Sequence, residues 1–129
     1  MPSNLPALVT LLALGLYIGT FVMTGRARRR FAVRAPQVTG PPEFERALRV
    51  QQNTIEQLIL FLPSLWLFAF YVSALWGGLF GLVWIGARAY YAYCYYRDPE
   101  TRGPGFIVAF ASASFLWAGA LVGTLGAIL

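Results

Sequence analysis

Residues 43–72 read EFERALRVQQNTIEQLILFLPSLWLFAFYV. The first half carries Arg46, Arg49, Gln51, Gln52, Asn53, Glu56 and Gln57, and the second half, from Leu58 onward, is almost purely apolar. An uninterrupted pattern of this length predicts a helix that starts near Glu43, just after Pro41-Pro42, and continues to about Ser73. Glu43 and Glu45 in its first turn suit the positive end of the helix dipole. Pro63 removes one backbone hydrogen bond and is expected to kink the helix.

Three more apolar segments flank this one. The chain has 129 residues, 58% hydrophobic and only 12% charged, against about a quarter charged in a typical soluble domain. A hydrocarbon layer of about 30 Å requires ~20 largely apolar residues per helix. Helix one is expected from about Leu5 to Thr24 as a permanent span rather than a cleaved signal, since no basic side chain precedes it and no small-residue cleavage site follows. It ends in the run Gly25-Arg26-Ala27-Arg28-Arg29-Arg30, followed by a loop with Pro36, Gly40, Pro41 and Pro42 as breakers. A turn is expected at Trp76-Gly77-Gly78, helix three from about Leu79 to Tyr96, a polar loop from Arg97 to Pro104, and helix four from about Gly105 to Ile128. Gly119, Ala120, Gly123, Gly126 and Ala127 in helix four suit close helix packing. No strand alternation is visible. The expected fold is an all-α membrane protein, a four-transmembrane-helix bundle forming a single domain over residues 1–129.

Composition also excludes chemistry. A single cysteine rules out an internal disulfide, and the absence of histidine removes histidine metal sites and histidine bases; no metal is expected. The net charge of +5 comes entirely from arginine excess. The arginines lie at helix ends and in loops rather than in a basic groove with stacking aromatics, so no nucleic-acid partner is expected. Arg26, Arg28, Arg29, Arg30 and Arg34 in loop one, and Arg97 and Arg102 in loop three, place both loops on the cytoplasmic side by the positive-inside tendency. The short loops and the lack of a retrieval tail fit a bacterial inner membrane, with a microsomal membrane as the alternative.

Charges inside membrane helices are costly and mark functional candidates. Arg46, Arg49, Asn53 and Glu56 are spaced three, four and three apart. At 100° per residue they share about a quarter of the helix circumference. Arg88, Tyr91 and Tyr95 repeat the pattern on helix three, whereas Gln51 points to the opposite side of helix two. Interfacial snorkelling explains isolated arginines, and a tyrosine belt explains isolated tyrosines. A carboxylate as deep as Glu56 needs a partner, for which Arg49 and Arg88 are candidates, either as a structural lock or as part of a site. The stripe as a whole reads as a pocket for a polar, multiply charged ligand. Cys94 lies off the stripe and reads as packing; Tyr90, Tyr93 and Tyr96 read as interfacial belt.

The segment from Thr39 through Gly40-Pro41-Pro42-Glu43-Phe44-Glu45-Arg46, continuing to Arg49, Gln51, Asn53 and Glu56, resembles the signature of the MAPEG family of membrane proteins in eicosanoid and glutathione metabolism. Ala27-Arg28-Arg29 before it, and Ala87-Arg88, Tyr91, Tyr95 and Arg102 after it, keep that family's order and spacing. The resemblance spans about residues 27 to 102 and implies a homotrimeric membrane protein that uses glutathione as co-substrate. Arg49, Asn53, Glu56, Tyr91 and Tyr95 would hold glutathione, Arg28 and Gln51 would reach it from the adjacent subunit, and Arg88 would support the pocket floor. Arg102 would stabilise the thiolate, and Arg29 would act on the second substrate or the leaving proton. Gln57 belongs to the same binding set, but stands where the family's leukotriene synthase has a tyrosine.

The residue types suit such a ligand. Arginines pair carboxylates in bidentate fashion, and Glu56 can pair an ammonium. A thiol has a pKa of about 8.5. Two unit charges ~4 Å apart near a protein surface interact by roughly 4 kcal/mol, against about 1.4 kcal/mol per pKa unit, so one arginine can make the thiol mostly thiolate. The expected function, as the resemblance implies it, is a membrane-bound glutathione transferase that stabilises the glutathione thiolate for attack on a lipophilic electrophile such as an eicosanoid-like lipid, in detoxification, with glutathione-dependent reduction of lipid hydroperoxides as a companion activity. The alternative is a non-catalytic lipid-binding scaffold of the lipoxygenase-activating type. The resemblance favours the enzyme, because that branch lacks arginines corresponding to Arg49 and Arg102.

Overall fold

The structure is a computed structural model and describes residues 3–129. Four helices account for nearly all of it: α1 (Leu5–Phe31), α2 (Pro42–Tyr71), α3 (Ala74–Arg97) and α4 (Gly103–Ile128), with a short 3-10 turn at Pro99–Arg102. α2 and α3 each pack against every other helix, with α1 and α4 on their flanks. Large apolar side chains cover the outside, including Ile59 at 73% exposure and Phe70 at 81%. In water such a surface would aggregate; in a bilayer it faces the solvent it matches. The chain is a four-helix membrane bundle. α1, α2 and the segment Pro99–Ile128 are each long and apolar enough to span a membrane. α3, which carries Arg88 and five tyrosines, falls below that mark by composition, and it lies against all three neighbours.

Three boundaries differ from the sequence reading. α1 does not stop at Thr24 but runs through the arginine run to Phe31. Arginine is a good helix former, and cations in a last turn are favoured by the dipole. Arg26, Arg28, Arg29 and Arg30 are therefore helical side chains with fixed directions rather than loop residues. The helix closes at Ala32, whose backbone is left-handed at φ 53°, ψ 43°. Trp76-Gly77-Gly78 is not the turn. α2 ends at Tyr71, and Ser73 caps α3 by accepting a hydrogen bond from the Trp76 amide at 3.2 Å. The glycines serve close approach instead, since a methyl built on Gly78 would lie 2.5 Å from Leu5 Cγ. α4 begins at Gly103, two residues before the expected start. α2 runs unbroken through Pro63.

The core draws on all four helices, with Val9 and Ala13 of α1 fully buried in it. Phe61 and Trp84 stack at 4.1 Å with their planes 2° apart, surrounded by Leu65, Phe68 and Leu116. Ala109, Ala113 and Ala120 keep α4 close to its neighbours. Of the small residues expected to allow this, Gly119 faces Phe68 and Gly123 faces Val72 and Tyr71, whereas nothing among the described residues lies within 4 Å of a methyl built on Gly126. A second, smaller cluster of Val33, Phe44 and Leu48 anchors the α1–α2 loop. Together these contacts hold the polar ends of α2 and α3 side by side.

Candidate functional site

Glu43 and Glu45 do occupy the first turn of α2, where the Glu45 carboxylate also accepts from the Gly40 amide at 3.3 Å. The polar stripe that follows meets the tyrosine stripe of α3. Arg49, Gln52, Asn53, Glu56, Tyr91, Tyr95 and Arg102 line one cleft of about 190 Å³. An adjoining hollow of about 330 Å³, lined by Pro42, Glu45, Arg46, Arg49 and Tyr95, shares two of these residues and takes in Arg46, the first member of the stripe.

Beneath the cleft lies Arg88, 1% exposed. Its Nη1 donates to Asn53 Oδ1 at 2.8 Å and its Nη2 to Thr54 Oγ1 at 2.9 Å, while the guanidinium carbon sits 4.0 Å from the centre of the Tyr91 ring. Its hydrogen bonds go to neutral groups, not to Glu56, so the Glu56–Arg88 lock considered from the sequence does not form. Glu56 is exposed to the cleft. A buried cation held only by neutral acceptors is costly. Three guanidinia (Arg49, Arg88 and Arg102) face one carboxylate here, so the cleft carries a positive field suited to an anionic ligand with one cationic group.

Arg102 reaches the cleft because the 3-10 turn reverses the chain after α3. Asp98 starts that turn by accepting from the Glu100 amide at 3.1 Å. Arg102 Nη1 donates to Pro99 O at 2.7 Å, and the guanidinium lies 5.6 Å from the centre of the Tyr95 ring. One of its five N–H donors is thereby used, and the others remain for a ligand. Gly105 permits the arrangement. A methyl there would lie 2.9 Å from the Tyr91 amide nitrogen and 3.1 Å from Ala87 O, so α4 starts in near-contact with the α3 backbone.

The structure brings together seven of the expected residues on this cleft or its floor: Arg49, Asn53, Glu56, Tyr91, Tyr95 and Arg102 line it, and Arg88 lies below them. It adds Gln52, which the sequence reading passed over, although Gln52 lies three residues after Arg49 and four before Glu56. It leaves Arg28, Arg29, Gln51 and Gln57 off the cleft of the single chain. Arg28 donates to Gln37 O at 2.8 Å and stacks on Phe44 at 5.0 Å. Arg29 is exposed on the last turns of α1, and Gln51 is half-buried on the far side of α2. The Gln57 side-chain oxygen is buried without a hydrogen-bond partner among the described residues.

Cys94 is buried and free, as packing requires. Tyr90 and Tyr93 are exposed, in keeping with an interfacial belt. Tyr96 departs from that reading: its hydroxyl is buried, and no group among the described residues hydrogen-bonds it.

Fold and cleft together define a polytopic helical membrane protein with an arginine-lined polar cleft at one end of the bundle. The chain belongs to the MAPEG family, whose profile it matches over residues 6–122. It is 46% identical over 120 residues to the uncharacterized protein sll1147 of Synechocystis sp., covering 93% of this chain and 88% of that one. It is 39% identical over 128 residues to leukotriene C4 synthase of Cavia porcellus, covering 98% and 83%. Against human microsomal glutathione S-transferase 2 the identity is 35% over 105 residues, covering 81% and 69%.

Proposed function

We propose that the protein is a glutathione transferase of the membrane, with glutathione as co-substrate in the cleft between α2 and α3. The observation that carries the reading is the convergence of Arg49, Asn53, Glu56, Tyr91, Tyr95 and Arg102 on one cleft above the buried Arg88. The names of the relatives, a glutathione transferase and a leukotriene C4 synthase, support it.

In this reading Arg49 and its neighbours pair the two carboxylates of glutathione, and Glu56 pairs its ammonium. Arg88 fixes Asn53 from below and contributes charge. Arg28 and Gln51 complete the site from a second copy, and Gln57 takes part in binding. Arg102 stays protonated throughout and acts as a fixed positive field beside the sulfur, stabilising the thiolate. The thiolate attacks an electrophilic carbon and forms the C–S bond, while the leaving group departs with the electrons of the broken bond. When that bond is the C–O bond of an epoxide, the new alkoxide takes up a proton, a step assigned to the vicinity of Arg29. A lipophilic electrophile reaches the sulfur from the bilayer. Reduction of lipid hydroperoxides uses the same thiolate: it attacks the terminal peroxide oxygen, the O–O bond breaks, and the lipid alkoxide leaves and takes up a proton. A second glutathione then converts the glutathione sulfenic acid to glutathione disulfide and water. The arginine-rich ends of the helices face the cytoplasm of a bacterial cell.

Equilibrium binding of glutathione to detergent-purified protein tests the core of this. Arg49→Ala and Glu56→Ala are each expected to weaken binding by about tenfold or more, because each leaves an opposite charge of the ligand unpaired. Wild-type affinity in both variants would place glutathione elsewhere.

A further inference from the structure

A second cavity, of about 370 Å³, opens between the end of α1, the start of α2 and the last turns of α3, with Met23, Arg26, Arg30, Phe31, Glu43 and Tyr96 in its wall. It shares no residue with the glutathione cleft. Arg26 and Arg30 stand one turn apart on one face of α1, both exposed. Like charges at that spacing repel, and an anion between them relieves the repulsion. Glu43 is the one carboxylate in the wall, so the cavity keeps a positive excess. The buried Tyr96 hydroxyl has no hydrogen-bond partner among the described residues. An unmet polar group of this kind is costly and is satisfied by an acceptor from a ligand. Below Arg26, α1 turns apolar and lipid-facing, with Val22 and Met23 exposed. Along α1 the charged pair is thus followed by an apolar wall, as phosphate is followed by acyl chain in a lipid.

We propose that this cavity binds an anionic glycerophospholipid, whose headgroup phosphate lies between Arg26 and Arg30 and accepts the Tyr96 hydroxyl. Met23, on the bilayer side of Arg26, packs on its glycerol and upper acyl chain. A choline headgroup fits less well, because it brings a cation toward two guanidinia. The site is independent of glutathione, and its test uses none.

The test is native mass spectrometry of the delipidated protein in mild detergent, with phosphatidylglycerol and phosphatidylcholine offered in turn. Wild type is expected to retain phosphatidylglycerol under activation that strips phosphatidylcholine. The double variant Arg26→Gln/Arg30→Gln is expected to lose roughly tenfold to thirtyfold in apparent affinity. Tyr96→Phe is expected to lose a smaller factor, and Arg97→Gln, another arginine at the same end of the bundle, to lose nothing. Glu43→Gln is expected to bind phosphatidylglycerol more tightly, a gain that a misfolded variant does not produce. Equal retention of the two lipids, equal loss in the Arg97→Gln control, weaker binding in Glu43→Gln, or displacement by inorganic phosphate or free oleate at equal concentration would each overturn the assignment.

Discussion

Arg102 and Arg88 show how differently one residue type is used within a single cleft. Arg88 is buried, with two hydrogen bonds to neutral side chains and an aromatic face against it. Arg102 is exposed, tied to its own turn by one hydrogen bond and set beside the Tyr95 ring. Loss of Arg102 therefore removes charge from the cleft without emptying the core. Arg102→Ala is expected to lower turnover by roughly 10²-fold, the scale of a lost oxyanion-type donor, with the Michaelis constant for glutathione nearly unchanged. With thiol activation gone, the residual rate is expected to climb with pH until the ordinary thiol pKa of about 8.5, because only thiolate reacts. Wild type, with its thiol pKa depressed, is expected to be flat over the upper part of that range. Stopped-flow absorbance of the thiolate and a pH–rate profile check both points. A variant that keeps wild-type turnover and thiolate absorbance at neutral pH would move thiol activation to another residue, Arg29 first.

At the scale of helices, backbone proximity governs the site. Gly105 lets α4 touch the α3 backbone beside Tyr91, three residues after Arg102. A methyl there meets main-chain atoms, which cannot rotate aside as a side chain can. Gly105→Ala is expected to destabilise the protein by about 1–3 kcal/mol through overpacking. Its activity is expected to fall further than its stability, as the Arg102 turn is displaced. Gly126→Ala, in open space, is expected to leave both nearly unchanged. Thermal denaturation in detergent alongside turnover measures the difference. The end of α1 offers the converse case. Ala32 holds a left-handed conformation that costs an L-residue about 1–2 kcal/mol and that glycine adopts freely. Ala32→Gly is expected to raise the thermal midpoint, and a lowered midpoint would count against that backbone conformation.

For the whole molecule, the resemblance supplies an assembly that one chain cannot display. Arg28 and Gln51 lie off the cleft, and Arg28 is occupied with the loop carbonyl of Gln37. A homotrimer with sites between copies gives both residues a role. Mass measurement in mild detergent is expected to show three copies. A functional check is sharper. Arg28→Ala and Arg49→Ala chains are each expected to be weakly active alone. Co-expressed in equal amounts, they are expected to recover about a quarter of wild-type activity, since half the copies supply Arg28, half supply Arg49, and a cyclic interface needs both. No recovery in verified mixed oligomers would show that each chain builds its site alone.

The number and type of elements, and much of the cleft's lining, were legible in the chain because those properties are local. Hydropathy over some twenty residues marks a span, and a spacing of three and four places Arg49, Asn53 and Glu56 on one face wherever the helix sits. The same logic reaches Gln52, which lies just beside that face. Other features depended on contacts between distant segments. That Arg88 is the buried arginine follows from its meeting Asn53 and Thr54, more than thirty positions earlier in the chain. That Arg102 returns to Tyr95 depends on a 3-10 turn and on Gly105 lying against α3. That Gly77 and Gly78 are packing surfaces rather than a turn depends on Phe68 and Leu5 filling the space beside them. Periodicity encodes the direction of a side chain from its own helix axis, whereas the partner it meets is set by the register of one helix against another, which only the packing of the bundle decides.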